Sequence, residues 1–108
     1  MFLYKLKGAI YYMSKVYKNQ TSLRVRLTLG VDITDAIVKQ IKYQKPSGIV
    51  GYWNATVEDA TEGIIYYDIT TNDINEAGQW KFWAYITFSD GRSAPGEYAT
   101  ETIYEVPS

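Results

Sequence analysis

The longest strict alternation in the chain runs over residues 79–88, where Trp80, Phe82, Ala84, Ile86 and Phe88 share one side and Trp83, Tyr85 and Thr87 the other. Successive side chains of a strand point to opposite faces, so this segment predicts a β-strand with aromatic residues on both. One face can be core; the second needs a cover. Residues 21–29 show the same period, with Leu23, Val25, Leu27 and Leu29 between Arg24, Arg26 and Thr28, which is the pattern of a half-buried strand. In residues 37–43 the apolar positions Val38, Ile41 and Tyr43 change parity, which predicts a strand with a bulge. Residues 51–58 read as one strand with Trp53, Ala55 and Val57 inward. Residues 64–69 follow with Ile65, Tyr67 and Ile69 on a common face, and the last strand spans 98–106.

Turn chemistry separates these segments. Lys45-Pro46-Ser47-Gly48 fits a type I turn, Asp90-Gly91 is a hairpin signal, and Pro95 and Gly96 mark a loop. Short helical turns are expected near Asp32 and Thr34 and within residues 72–78. Six or seven short strands without a sustained period of 3.6 predict an all-β, antiparallel immunoglobulin-like β-sandwich, with residues 1–20 as an N-terminal arm or edge strand and residues 21–108 as the sandwich domain. Its expected core comprises Val25, Trp53, Trp80, Phe82, Ile86 and Phe88.

A chain of 108 residues makes one domain able to bury roughly two thirds of its unfolded surface. It contains no histidine and no cysteine, which removes disulfides, imidazole catalysis, thiol nucleophiles and the usual zinc sites. Net charge is −1, yet Lys5, Lys7, Lys15, Lys18, Arg24 and Arg26 all precede the first acid, Asp32. A basic arm on an acidic body either lies on that body or docks on an acidic neighbour. The N-terminal residues, interrupted by Lys5 and Lys7, read as neither a signal peptide nor a membrane span.

Asp73, Ala77-Gly78, Trp80 and Phe82, with Trp53 earlier, resemble the core of an immunoglobulin-type domain in which Trp80 stands at the corner aromatic and Phe82 where antibody domains carry a cysteine. A wider resemblance rests on Leu29-Gly30-Val31-Asp32-Ile33-Thr34-Asp35-Ala36, Tyr43-Gln44-Lys45-Pro46-Ser47-Gly48, Trp53-Asn54-Ala55-Thr56-Val57, Ala77-Gly78-Gln79-Trp80 and Phe88-Ser89-Asp90-Gly91-Arg92. In that order these motifs are similar to immunoglobulin-like virion structural proteins of tailed bacteriophages and to the N-terminal domain of phage baseplate upper proteins. The resemblance implies a virion component made in the host cytoplasm. Its partners would be other virion proteins in a homo-oligomer or multi-copy assembly, with no catalytic residue and no cofactor.

Candidate sites follow from what the strands leave outside. Tyr52, Trp83, Tyr85 and Tyr104 form the expected outer aromatic set, either covered by an arm carrying Tyr11 and Tyr12 or open to a partner. Arg24 and Arg26 join them as interface candidates. A carbohydrate-binding surface for a host glycan is the alternative reading of the same aromatics. Residues 73–78 imitate the opening of a calcium loop but fail at Ala77 and Ala84. Asp32 with Asp35 and Glu58 with Asp59 are the nearest carboxylate pairs, and the latter, adjacent on a strand, point to opposite faces. Nucleic acid and membrane are not expected partners. Asn19-Gln20-Thr21 and Asn54-Ala55-Thr56 match the glycosylation pattern, which carries weight only in a secreted chain.

Overall fold

The computed structural model describes residues 2–6, 9–12, 15–21 and 23–106, the strands alone for those before residue 15. Among them are eleven strands: β1 (Phe2–Leu6), β2 (Ala9–Tyr12), β3 (Val16–Tyr17), β4 (Arg24–Thr28), β5 (Ala36–Gln44), β6 (Val50–Asn54), β7 (Thr56–Asp59), β8 (Ile64–Asp68), β9 (Gly78–Phe88), β10 (Ser93–Pro95) and β11 (Ala99–Tyr104). They form two layers. Sheet A has the order β2-β1-β4-β8-β7, and sheet B the order β3-β11-β9-β5-β6 with β10 also on β9. This is the predicted immunoglobulin-like β-sandwich.

The alternation read from the chain accounts for the core between the layers. Sheet B contributes Ile41, Trp53, Trp80, Phe82, Ala84 and Ile86, and sheet A contributes Val25, Leu27 and Ile65, all buried. Phe88, expected with them, is only partly buried against this cluster. Trp53 stacks on Tyr67 across the sandwich at 4.9 Å and lies 5.8 Å from Phe82. The Trp80 ring N–H donates to the Glu76 carbonyl at 2.9 Å, so Trp80 does hold the corner before β9 as an immunoglobulin corner aromatic would. Gly51 faces Tyr43 across the β5–β6 ladder, where a Cβ would collide with the phenol ring. Its missing side chain lets Tyr43 pack 4.8 Å from Trp53 and 5.7 Å from Trp80.

The turns largely follow their sequence chemistry. The Gly48 N–H closes the Lys45 turn at 2.8 Å, and Gly91 takes a φ of 89° in the β9–β10 hairpin, a conformation glycine adopts without Cβ strain. The parity change in β5 is a real irregularity, a register shift against β9 between Ala36 and Val38.

Four expectations need correction. The sandwich is not wholly antiparallel, because β1 runs parallel to β4 and β3 parallel to β11. The expected single strand over residues 51–58 is two, β6 in sheet B and β7 in sheet A. The chain changes sheet at Ala55, whose N–H donates to the Lys39 carbonyl at 2.9 Å. The expected helical turns are hydrogen-bonded turns without helix; Asp32 accepts from the Thr34 N–H at 2.8 Å, and Asp73 from the Thr70 N–H at 2.7 Å. Pro95 belongs to a short strand, β10, tolerated there because proline needs no ladder donor at an edge. The 1–20 segment supplies strands to both sheets, β1 and the edge strand β2 to one and the edge strand β3 to the other.

Candidate functional site

The candidate surface is the outer face of sheet B. Register places Lys42 opposite Tyr52 of β6 on one side and opposite Trp83 of β9 on the other, with Gln40 opposite Tyr85. Tyr52, Lys42 and Trp83 are therefore one row across three strands, and Tyr85 lies two residues along β9 from it. Tyr52 is exposed, whereas Trp83 and Tyr85 are half-buried. Part of the cover on Tyr85 is Lys42, whose ammonium sits 4.1 Å from the Tyr85 ring centroid, a cation–π contact. The Tyr85 hydroxyl is 3.1 Å from Ser93 Oγ, and this contact, ahead of those from Thr87 and Lys42, holds its pKa below the ordinary phenol value. Lys81 caps the exposed Tyr98 ring in the same manner at 5.0 Å. None of the outward positions of β5, β6, β9 and β11 on this face is Asp or Glu.

The predicted set is divided by the structure. Tyr104 has the outward parity of Trp83 but lies beyond the Ile103–Gly78 pair, past the N-terminal end of β9 and roughly 20 Å from Trp83 along the strand. It packs instead near Tyr17, at 6.2 Å, with the Lys15 ammonium 4.9 Å from its ring. Tyr11 and Tyr12 belong to β2, and their side chains lie outside the described residues. Of the two alternatives for covering Trp83, topology disfavours the arm: β1 and β2 extend sheet A, on the other layer.

Arg24 and Arg26 stand on the outer face of sheet A, engaged with the chain's own acids. Arg24 binds Asp68 through two nitrogens at 2.6 and 3.0 Å and stacks 3.9 Å over Tyr66. Arg26 binds Glu58 in the same two-pronged way. The hydrogen bonds from these guanidinium groups hold the Asp68 and Glu58 carboxyls below their ordinary values. Lys18 pairs with Glu105 at 3.0 Å. For these three cations the basic N-terminal third lies on its own acidic body.

A cleft of about 830 Å³ opens at one end of the sandwich, lined by Val31, Asp32, Asp35, Phe88 and Arg92 among others. Two of its polar groups are engaged by neighbours: Thr34 bonds hold the Asp32 carboxyl below its ordinary value, and Arg92 binds Asp90 at 2.6 Å. An acid–base pair works when two groups are pushed to opposite sides of the working pH, and Asp32 is pushed only toward the anion. Among the described residues no three His, Cys, Asp or Glu side chains gather as around a metal ion.

One residue escaped the sequence reading. Glu101 sits on the inward parity of β11 opposite Trp80 and is buried. Burial raises its pKa, against a weaker opposing bond from the Thr102 N–H. The signal was present in the alternation Ala99, Glu101, Ile103, which puts one carboxyl among core positions.

Two mixed sheets with this strand order and corner define an immunoglobulin-like β-sandwich protein. No protein-family model matches the chain, and no curated protein matches it. Among solved structures it is similar to CopC from Methylosinus trichosporium OB3b, with a TM-score of 0.58 and 15% identity over 87% of this chain and 85% of that one. A likeness at that identity shows the fold. The expectation of a phage virion, tail or baseplate role is corrected by this finding: the fold is matched by CopC, and no comparison supplies a phage link.

Proposed function

We propose that this chain is a non-enzymatic protein-recognition module that docks an acidic surface of a partner protein on the outer face of sheet B. The observation that carries this reading is the Tyr52-Lys42-Trp83 row, with Tyr85 beside it, on strands whose outward positions hold lysines and no acid. Aromatic side chains supply contact area with a polar handle at the centre of such a surface, and lysines steer an acidic partner to it. Lys42 and Lys81 keep the Tyr85 and Tyr98 rings covered until a partner arrives. The same geometry disfavours sugar stacking, because the Lys42 ammonium occupies a face of Tyr85 that a sugar ring would need.

The test is affinity capture from the source cells on immobilised chain, comparing the native sequence with Trp83→Ala and Lys42→Glu. A captured protein lost in both variants and weakened by salt is the expected result. Retention of the same protein by both variants overturns the reading, as does loss in both variants of binding to a single-stranded oligonucleotide or a glycan.

A further inference from the structure

The free edge of sheet B adjoins the face just described and shares Tyr52 with it, but it is read from main-chain rather than side-chain groups. The Lys45 N–H donates to Ile49 and the Ala55 N–H to Lys39, both at the β5–β6 register. In an antiparallel ladder bonded residues alternate along the strand, so Gly51 and Trp53 also turn their main-chain groups toward β5. The N–H and C=O groups of Val50, Tyr52 and Asn54 then point out of the sheet, where no further strand lies. An edge of this kind is a template for another strand unless charge, proline, a bulge or shortness blocks it.

Three other described edges, β7, β10 and β3, carry such blocks. In sheet A, β7 holds Glu58 and Asp59 and shifts register between Val57 and Asp59. β10 has three residues including Pro95, and β3 has two residues between Lys15 and Lys18. For β2 the side chains lie outside the described residues. β6 has none of these features: residues 46–57 contain no charged side chain, and Ile49, Val50 and Tyr52 are 56%, 59% and 55% exposed.

We infer that β6 pairs with β6 of a second copy of this chain, antiparallel and centred on Tyr52, joining two B sheets into one. The centre follows from the outward groups. With Tyr52 opposite the partner's Tyr52, and Val50 opposite Asn54, every outward N–H and C=O of the strand meets its complement. A two-fold axis brings each residue type against itself or its mirror position, and a neutral edge is self-complementary there, while the acidic β7 edge would set carboxylate against carboxylate. The occupant is thus a second copy rather than a charged strand. The union would also place two cationic aromatic faces side by side on one continuous sheet. That last consequence depends on the proposed docking reading; the pairing itself does not.

Light scattering of the intact chain across a dilution series is the first measurement, with a mass twice 12.4 kDa expected at high concentration and dissociation on dilution. Tyr52→Lys sets two ammonium groups opposite each other and should give a monomer whose melting curve matches that of the native chain at dilutions where it has dissociated, since the side chain lies outside the core. Because the chain has no cysteine, Tyr52→Cys should form an intermolecular disulfide under mild oxidation. Bonded-pair Cα atoms lie about 5.5 Å apart, within the span of a disulfide. Thr102→Cys, on the far strand of the same face, should not crosslink. A chain monomeric at every concentration, or a folded Tyr52→Lys chain that keeps the doubled mass, overturns the inference. Trp83→Ala separates the two proposals: docking lost with the dimer intact supports edge pairing, while a native chain that docks a partner as a monomer sinks edge pairing alone.

Discussion

On the outer face of sheet A, Arg24 meets Asp68 and Arg26 meets Glu58, so each of these cations finds a counterion on a nearby strand. On the outer face of sheet B, Lys42 and Lys81 lie over aromatic rings, and the outward strand positions hold no acid at all. Among the described residues two cations stand out on each face, but only those of sheet A have acids beside them. What differs is where the balancing charge comes from. At the described positions of face A Arg24 and Arg26 are paired within the chain, whereas on face B Lys42 and Lys81 lie over aromatic rings with no acid among the outward strand positions. Under the proposed docking reading, sheet B would carry recognition while the described pairs of sheet A serve the fold.

It assumes that stability resides between the sheets, leaving both outer faces free to vary. Trp80 tests this most severely, being fully buried with its ring N–H bonded to Glu76. Trp80→Ala should cost about 3–5 kcal/mol, the range for large aromatic truncations in a core, read as a fall in the urea midpoint. A loss below 1 kcal/mol would show that the sandwich interior is not where the fold is held.

Glu101 gives the next effect and a pH signature. Its folded pKa is raised above the ordinary value of 4.5 by burial. The fold therefore favours the protonated form, and that favourable contribution is complete below the unfolded value and lost as pH rises through the folded one. At neutral pH, where the carboxyl of the unfolded chain is ionised, burying Glu101 weakens the protein. Glu101→Gln should stabilise it at pH 7 by on the order of 1 kcal/mol, with the gain shrinking as pH falls below the ordinary value. Asp68 and Glu58 have the opposite sign, since their lowered pKa values give stability that is present above the ordinary carboxyl value and lost in acid. A Glu101→Gln gain that persists unchanged at pH 3 would assign it to packing rather than charge.

Much of the interior was legible in the chain because alternation is a local signal. The inward set of β9, Trp53 as a core residue, the β5 irregularity and the Asp90-Gly91 hairpin all follow from a few neighbouring residues. What was not legible depends on partners far along the sequence. Residues 51–58 keep one alternation through Ala55, yet the chain changes sheets there, because parity repeats on either sheet and only pairing distinguishes them. Tyr104 shares the parity of Trp83, but register carries it to the other end of β9. Arg24 and Arg26 read as interface cations because their acids are 44 and 32 residues away. The parallel pairings of β1 and β3 leave no mark in local periodicity.

The difference between the faces can then be measured directly on sheet A. A double-mutant cycle with Arg26→Ala and Glu58→Ala should give a coupling of about 0.5–1 kcal/mol, the range of exposed to half-exposed ion pairs, reduced in high salt. Neither single variant should alter partner capture. Loss of capture in Arg26→Ala would move the recognition surface to sheet A and reverse the comparison.

The smallest expected change in stability belongs to the residue with the largest expected role on sheet B. Lys42 lies opposite both Tyr52 and Trp83 and makes its cation–π contact near the surface. Lys42→Gln removes the charge but keeps most of the stem, so the cover over Tyr85 remains and stability should stay within about 0.5 kcal/mol. The charge is what an acidic partner reads, so capture should weaken, and its salt dependence should flatten because one cation has left the interface. The Tyr85 phenol should titrate slightly higher in the variant, since the Lys42 charge contributes to holding its pKa down; ultraviolet difference titration reports this independently of any partner. A variant with the shifted tyrosine titration and undiminished capture would leave the aromatic row intact as a surface while removing positive charge as the reason a partner chooses it.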